Sequence, residues 1–240
     1  MPLPLGEDEA HLWFVRIDAL GPSELAAFEQ VLDDDERARI AGMALAARRL
    51  EQLVTRGLVR RVLSRYAAVA PEHWRFETTE RGRPRAANEE ARALDFNLSH
   101  GGGLVVCVVS AHRRVGVDVE AIADASRILE LGDRAFSPRE REELAALPSD
   151  ARAERALERW TAKEAYAKGL GLGAALPFAA LDAFDERWQI AHVRPTPGHV
   201  LAVAAEREGA AAEREGAAAV RIVLRDLAQG GAQTLPSVPP

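Results

Sequence analysis

Three acidic residues are spaced so that two strand side chains and one helix side chain could act together. In residues 116–120, GVDVE, the alternation of a β-strand puts Asp118 and Glu120 on one face and the valines on the other. Glu164 lies in a later segment with a helical pattern, and three such carboxylates could bind Mg²⁺ beside substrate phosphates. A solvated strand face explains Asp118 and Glu120 more simply, so a metal site is predicted only if other residues indicate phosphate.

The two lysines are the second unusual feature. The chain has 31 basic residues, and all of them except Lys163 and Lys168 are arginines. Trp160, Glu164 and Lys168 follow one another at intervals of four, so they share one helix face. An ammonium can release a proton and a guanidinium cannot, which makes Lys168 a candidate for stabilising or protonating a departing group. The alternative is that the two lysines lie close together by coincidence.

Further residues could bind anions. Arg49, Arg56 and Arg60 are spaced by seven and four, which places them on one face of a predicted helix as a ridge for phosphate or as a solvated cationic face. His100 precedes three glycines, residues 101–103, whose amides could approach phosphate oxygens. A hydrogen-bonded structural histidine is the simpler interpretation of His100 alone. Together, the basic residues supply the indication of phosphate that the acids require.

The elements that would hold these residues alternate between strands and helices. Ser137, Pro138 and Glu140 form the strongest local signal, an N-cap, a first-turn proline and a capping box. The predicted elements are a strand at 12–17, helices beginning at Ser23 and Asp33, a helix over 46–69, a strand near 75–79, a hairpin of 104–110 and 115–120, helices beginning at Ser137 and running from about 152 to 168, and strands at 188–193, 200–204 and 220–224.

Two segments are predicted to lie outside the packed elements. Residues 205–218 repeat the unit AEREGAA twice without a large apolar residue, which favours a surface loop over a coiled coil. Residues 230–240 are expected to form a loose tail. Neither segment is expected to take part in the chemistry.

Composition excludes several classes of protein. The 240 residues carry a formal net charge of -6, which is unfavourable for nucleic-acid binding. Cys107 is the only cysteine, so an internal disulfide and a cysteine zinc cluster are excluded, and its valine neighbours predict a buried, inert thiol. No apolar run approaches the length of a membrane span, and the first residues lack a secretory signal. We expect a soluble, cytoplasmic, monomeric protein that binds neither membrane nor nucleic acid.

The order of several short motifs resembles the Sfp-type 4'-phosphopantetheinyl transferases. The pair GVDVE and, some forty residues later, WTAKEAYAK is the most specific part of the resemblance. The matching segments are Gly82-Arg83-Pro84, Phe96-Asn97-Leu98-Ser99-His100, residues 116–120, Phe136-Ser137-Pro138-x-Glu140 and residues 160–168. The sequence departs from the family at the repeat and at residues 43–47, where relatives often carry aromatics.

The resemblance implies an α/β (α+β) fold with pseudo-twofold symmetry, in which each half has a small sheet packed on helices. The halves would be residues 1–115 and 116–228, the second including the repeat, followed by a tail at 229–240. Coenzyme A and Mg²⁺ would occupy the cleft between the halves. By position in the motifs, the metal ligands would be Asp118, Glu120 and Glu164. The residues contacting coenzyme A would be Arg83, Ser99, His100 and Lys168 of the motifs, together with Arg49 and Arg56 of the predicted helix, which no motif places.

The resemblance also implies a reaction. The protein would transfer 4'-phosphopantetheine from coenzyme A to a serine of an apo acyl or peptidyl carrier protein and release 3',5'-ADP, with Glu164 and Lys168 as catalytic residues. Glu164 would take the serine proton, and Lys168 would stabilise or protonate the leaving group. One alternative is a non-catalytic module of the same fold that binds coenzyme A or a carrier protein. Another is a magnesium phosphodiesterase in which water replaces serine.

Overall fold

The computed structural model describes residues 2–207, 219–227 and 232–234 of the chain. Within them lie ten strands and six α-helices, and no helix is both long and apolar enough to cross a membrane. In chain order the first elements are β1 (Glu9–Arg16), α1 (Pro22–Gln30), α2 (Asp34–Ala41), α3 (Ala46–Leu63), β2 (Phe76–Thr78), β3 (Pro84–Ala86), β4 (Leu94–Gly101) and β5 (Leu104–Ala111). The others are β6 (Val115–Ala121), α4 (Ala125–Leu129), α5 (Pro138–Ala146), α6 (Ser149–Leu170), β7 (Trp188–Val193), β8 (His199–Glu206), β9 (Arg221–Asp226) and β10 (Ala232–Thr234).

The larger strands form two sheets. One has the order β10-β9-β1-β5-β4, with β9 parallel to β1 and the other pairs antiparallel. The other is the antiparallel sheet β6-β8-β7, and β2 and β3 form a separate ribbon. The predicted α/β fold, with sheets packed on helices, is confirmed.

The two sheets face each other and share a core. Val106 and Val108 of β5 pack with Val117 of β6 and Val203 of β8 in one buried cluster. The other face of β5, which includes Cys107, packs on Leu58 and its neighbours in α3. Because β5 is buried on both faces, its sequence is a continuous apolar run instead of an alternating one. The predicted burial of Cys107 is confirmed, and burial raises the pKa of its thiol.

α6 covers the outer face of the three-stranded sheet. Gly116 permits this packing, because a Cβ at that position would lie 2.0 Å from the carbonyl oxygen of Ala165. The helix ends at Leu170 and is capped by Gly171, two residues beyond the predicted stop at Gly169. The φ of Gly171, 70°, lies in the left-handed region that favours glycine. The close contact of β6 with α6 brings Asp118 and Glu120 next to Glu164 and Lys168.

The predicted hairpin of residues 104–110 and 115–120 is wrong. β5 pairs with β1 and β4, whereas β6 begins the second sheet and pairs with β8. The turn between them includes His112 at a φ of 59°. Backbone N–H groups of β6 that a hairpin partner would have bonded instead meet side chains of β4, as described below.

The remaining differences concern element ends and the last residues. α3 ends at Leu63, six residues earlier than predicted. Most of the repeat, residues 208–218, lies outside the described residues, while Ala205 and Glu206 end β8. Within the predicted tail, residues 232–234 pair with β9, and β9 itself returns to the sheet of the first half. The second sheet begins with β6 at Val115, while β9, which lies in the predicted second half, belongs to the first sheet.

Candidate active site

Asp118 lies at the centre of a buried hydrogen-bond network. Lys168 Nζ donates to Asp118 Oδ1 at 2.7 Å and to Ser99 Oγ at 3.1 Å. Ser99 Oγ in turn donates to the same Asp118 oxygen at 2.9 Å and accepts from Val119 N at 3.3 Å. Asp118 is 5% exposed, and its second oxygen, Oδ2, is buried without any hydrogen-bond partner. An unpartnered carboxylate oxygen in such a position is costly unless a ligand satisfies it.

Glu120 and Glu164 complete the acidic cluster. Glu120 accepts hydrogen bonds from Trp160 Nε1 at 3.1 Å and from Arg127 Nη2 at 3.2 Å. Burial, and then the charge of Asp118, raise its pKa. Burial and the same charge raise the pKa of Glu164 to about 7, although Lys168 acts in the opposite direction. The carboxylates therefore repel one another across the site.

The three carboxylates suit a divalent cation in chemistry, although their side chains do not converge on one point. Among the described residues, no three His, Cys, Asp or Glu side chains are arranged to hold a metal. One Asp118 oxygen is turned to Lys168, and both Glu120 oxygens have donors. The unpartnered Asp118 Oδ2 and the repulsion felt by Glu164 are what an oxygen-bound cation would relieve. The donor set thus fits Mg²⁺.

A cavity of about 400 Å³ contains these residues and joins the two halves of the chain. α3 contributes Arg56, whose guanidinium has no hydrogen bond or ion pair in the described part of the chain. His100 is 28% exposed at the side chain, with Nδ1 3.2 Å from Glu51 Oε1 and Nε2 3.4 Å from Gln52 Nε2. The predicted site residues in its wall are Arg56, Ser99, His100, Asp118, Glu120, Glu164 and Lys168.

The ridge of arginines predicted on α3 is only partly formed. Arg49 is outside the cavity wall and donates to the carbonyl oxygens of Met43 at 2.6 Å and Ala44 at 3.2 Å. Arg60 is fully buried, where it pairs with Glu36 and Asp33 of the preceding cap and helix. The spacing of seven and four does place the three side chains along the helix. However, the segment before α3 binds Arg49 and the α2 region binds Arg60, so only Arg56 faces the cavity.

Arg83 has a different position from the one predicted for a residue contacting coenzyme A. Its guanidinium donates to the carbonyl oxygens of Lys168, Gly169 and Val115 at 2.5, 2.9 and 2.8 Å. It also forms an ion pair with Asp95 at 2.6 Å, and it does not line the cavity. Five backbone and side-chain acceptors occupy this guanidinium, which ties β4 and β6 to the end of α6.

Side chains of β4 replace a neighbouring strand along β6. Oxygens of Asp95, Asn97 and Ser99 accept from the N–H groups of residues 115, 117 and 119 at 2.8, 3.0 and 3.3 Å. We name this set the polar seam. Sequence reasoning missed Asp95 and Asn97, although their alternation with Ser99 in LDFNLS was a visible signal. The polar seam fixes Ser99 beside Asp118.

Comparison with known proteins gives two family matches that together span most of the chain. Residues 21–112 match the N-terminal domain of 4'-phosphopantetheinyl transferases, and residues 114–219 match the 4'-phosphopantetheinyl transferase superfamily. The 4'-phosphopantetheinyl transferase HetI of Nostoc is 36% identical over 174 residues, which is 72% of this chain and 73% of HetI. Sfp of Bacillus subtilis, also a 4'-phosphopantetheinyl transferase, is 34% identical over 130 residues, 54% of each chain.

A solved structure also shows a partial likeness. It is a holo-(acyl-carrier-protein) synthase from Bacillus anthracis in complex with CoA (3',5'-ADP), at 18% identity and a TM-score of 0.32, with 38% of this chain and 93% of that chain covered. The extent and identity of the match to HetI, together with the two family matches, determine the assignment. The chain belongs to the 4'-phosphopantetheinyl transferase superfamily and is a transferase.

Proposed function

We propose that the protein transfers 4'-phosphopantetheine from coenzyme A to a serine hydroxyl of an apo acyl or peptidyl carrier protein, requires Mg²⁺ and releases 3',5'-ADP. The observation that carries the proposal is the meeting of Asp118, Glu120, Glu164 and Lys168 in one cavity. Acids on β6 and α6 face a free guanidinium, that of Arg56, across the same space. A cavity with acids on one side and basic groups on the other suits a metal-bound polyphosphate.

Asp118, Glu120 and Glu164 would hold the magnesium. When bound, Mg²⁺ would neutralise charge on the pyrophosphate of coenzyme A. The unpartnered Oδ2 of Asp118 supports this role. Arg56, which has no hydrogen bond or ion pair in the described residues, is available for the nucleotide phosphates. His100 lines the same cavity, and its Nε2 would exchange the 3.4 Å contact with Gln52 for a phosphate oxygen. Arg49 and Arg83 are not included, because neither lines the cavity and backbone carbonyls accept from Nη1 of Arg49 and from both terminal nitrogens of Arg83.

The chain's own residues would move the protons. The serine oxygen attacks phosphorus, a new oxygen–phosphorus bond forms, and the bond to the bridging oxygen of the pyrophosphate breaks. Glu164 takes the serine proton as the general base. Lys168 holds or protonates the bridging oxygen as it leaves with 3',5'-ADP. Its hydrogen bonds to Asp118 and Ser99 orient the ammonium toward the cavity.

Mass spectrometry of the protein substrate tests this reaction directly. Apo carrier proteins of fatty-acid, polyketide and nonribosomal peptide synthesis are incubated with the enzyme, coenzyme A and Mg²⁺. We expect one phosphopantetheine to be added to a carrier serine and 3',5'-ADP to be released. Cleavage of coenzyme A without a gain in carrier mass would indicate the phosphodiesterase. Binding without cleavage would indicate a non-catalytic module.

A further inference from the structure

A second cavity, of about 700 Å³, adjoins the candidate active site. Pro84 and Lys168 line the active-site cavity, while their neighbours in sequence, Arg83, Arg85 and Gly169, line the second one. Two acids, Glu80 and Asp95, are outnumbered there by six arginines. The arginines are Arg81, Arg83, Arg85, Arg92, Arg113 and Arg114. Such a concentration of positive charge is notable in a chain with a net charge of -6.

Half of these arginines already bind the protein backbone. Arg83 and Arg114 donate to the carbonyl oxygen of Gly169 at the end of α6. Arg113 donates to the carbonyl oxygens of Glu7 and Glu206. These three guanidiniums maintain the shape of the wall and leave little donor capacity for a ligand.

The other three guanidiniums are available. Arg81 and Arg85 are exposed, and their side chains have no hydrogen bond or ion pair within the described ranges. Arg92 pairs only with Glu89, at 2.9 Å, and both side chains are about four-fifths exposed. An exposed pair of this kind contributes little energy and is easily exchanged for another anion. The β2–β3 ribbon, with Arg81 and Arg85, and the turn before β4, with Arg92, thus present three free or weakly held guanidiniums to one concave space.

We propose that this second cavity binds a small ligand that carries two or more phosphoryl groups. The planar donors of a guanidinium match phosphate oxygens in pairs, which favours phosphate over other anions. Charged side chains outnumber the apolar ones in the wall, which are Ala93, Leu94 and Leu170, and the cavity volume lies in the range of small-molecule sites. Concavity favours a compact ligand over an extended acidic peptide. The site is separate from the proposed transfer reaction, since Arg81, Arg85 and Arg92 do not line the active-site cavity.

Calorimetric titration of the full chain with tripolyphosphate, without coenzyme A or Mg²⁺ and at roughly 0.15 M salt, tests the proposal. The variant Arg81→Ala/Arg85→Ala removes both unpaired guanidiniums. The matched control Arg139→Ala/Arg141→Ala removes two exposed, unpaired arginines of α5 and changes the net charge equally. We expect the affinity to fall about tenfold or more in the cavity variant and to stay within about twofold in the control. Thermal melting of each variant checks folding.

Two further arms locate and identify the ligand. Arg56→Ala should keep the binding that Arg81→Ala/Arg85→Ala removes, because Arg56 lines the other cavity. Hexaglutamate should bind more weakly than tripolyphosphate. The proposal is overturned by no binding to the parent chain, by equal losses in the cavity and control variants, by loss only in Arg56→Ala, or by tighter binding of the peptide. None of these results depends on whether the protein transfers phosphopantetheine.

Discussion

Lys168 illustrates how a single residue combines structure and chemistry. Its ammonium is about one-quarter exposed and lies between Asp118 and Ser99, at the wall of the active-site cavity. Its own carbonyl oxygen is held by Arg83. Both lysines of this chain therefore have specific positions. Lys168 lies at the candidate active site, and Lys163 is buried in the core.

Lys168→Arg is expected to lower turnover by about tenfold to a hundredfold, with a small change in the KM for coenzyme A. Arginine keeps the charge, but its planar guanidinium does not reproduce the two ammonium hydrogen bonds and cannot release a proton. Steady-state kinetics on a carrier protein measure both constants. Turnover close to that of the parent would exclude proton donation by Lys168.

Asp118→Ala and Glu164→Ala are expected to stay folded and to lose transfer by about a hundredfold or more. Each change removes a carboxylate that repels its neighbours, which offsets the contacts that are lost. Asp118→Ala also removes the acceptor of Lys168 and Ser99, so it is expected to lower the melting temperature more than Glu164→Ala does. Thermal melting with and without Mg²⁺ and coenzyme A shows how much ligands stabilise each protein.

Glu130→Ala provides the matched control for these acids, since Glu130 is exposed and has no side-chain partner in the described segments. It should keep both transfer and ligand-dependent stabilisation. Glu164→Gln refines the comparison, because it keeps the size and loses basicity, so coenzyme A binding without transfer is expected. Intact transfer with equal Mg²⁺-dependent stabilisation in all variants would mean that the acids are a solvated face.

At the scale of the elements, the sequence predicted where helices begin, but it did not predict which strands pair with each other. The start of α5 is as predicted, with Ser137 Oγ accepting from Glu140 N at 3.2 Å and Glu140 accepting from Ser137 N at 2.9 Å. These contacts lie within four residues of one another, so the sequence alone contains them. The hairpin failed because β6 is held by side chains of Asp95 and Asn97, about twenty residues away.

The same distinction explains the site residues. Asp118 and Glu120 share a strand face, and Glu164 and Lys168 share a helix face, so periodicity brings each pair together. Arg49 and Arg83 also follow the periodicity or motif, but nearby backbone carbonyls bind both side chains. Periodicity and motifs do not show which backbone carbonyl oxygens stay free of other hydrogen bonds in the folded chain, and so they do not show which arginines those carbonyls bind.

Lys163 connects three segments around the start of α5. Its ammonium is 1% exposed and donates to Phe178 O at 2.7 Å, to Ala135 O at 3.1 Å and to the Glu140 carboxylate. Lys163→Met is expected to lower the free energy of unfolding by about 3–5 kcal/mol, because it leaves a buried carboxylate and two carbonyls without their donor. Urea unfolding measures this loss.

A double variant separates the ion pair from the packing. Lys163→Met combined with Glu140→Gln should recover part of the loss, because no unpaired charge is then buried. Arg159→Met removes a half-exposed cation from the same helix and should cost less than about 1 kcal/mol. Equal losses for Lys163→Met and Arg159→Met would show that the buried pair contributes nothing beyond a surface ion pair.

At the scale of the whole molecule, the site lies where two sheets meet without sharing a strand pair. α3 and β4 supply Arg56, Ser99 and His100 from one side, and β6 and α6 supply the acids and Lys168 from the other. The polar seam and Arg83 hold these sides together through side chains. A cavity open to ligands can therefore exist between two well-packed cores.

The first sheet joins distant parts of the chain through β1. His11 of β1 makes the stability of the protein depend on pH. His11 is 1% exposed, and its Nδ1 lies at hydrogen-bond distance, 2.7 Å, from the Tyr66 hydroxyl. Burial, and then the charge of Arg225, lower the pKa of His11 to about 4 from its usual 6.5, although Glu9 acts in the opposite direction. The folded state thus favours neutral histidine.

Because the unfolded chain binds a proton at His11 more readily than the folded chain, this residue destabilises the protein as the pH falls from about 6.5 to about 4. His11→Asn keeps an acceptor near Nδ1 but does not titrate, so it should be less stable than the parent at pH 7.5 through lost packing. The difference in unfolding free energy should then narrow by up to roughly 3 kcal/mol toward pH 4. Urea unfolding of both proteins at matched pH values measures this difference, in which the other titrating groups cancel. A difference that stays constant with pH would show that His11 has the same pKa in both states.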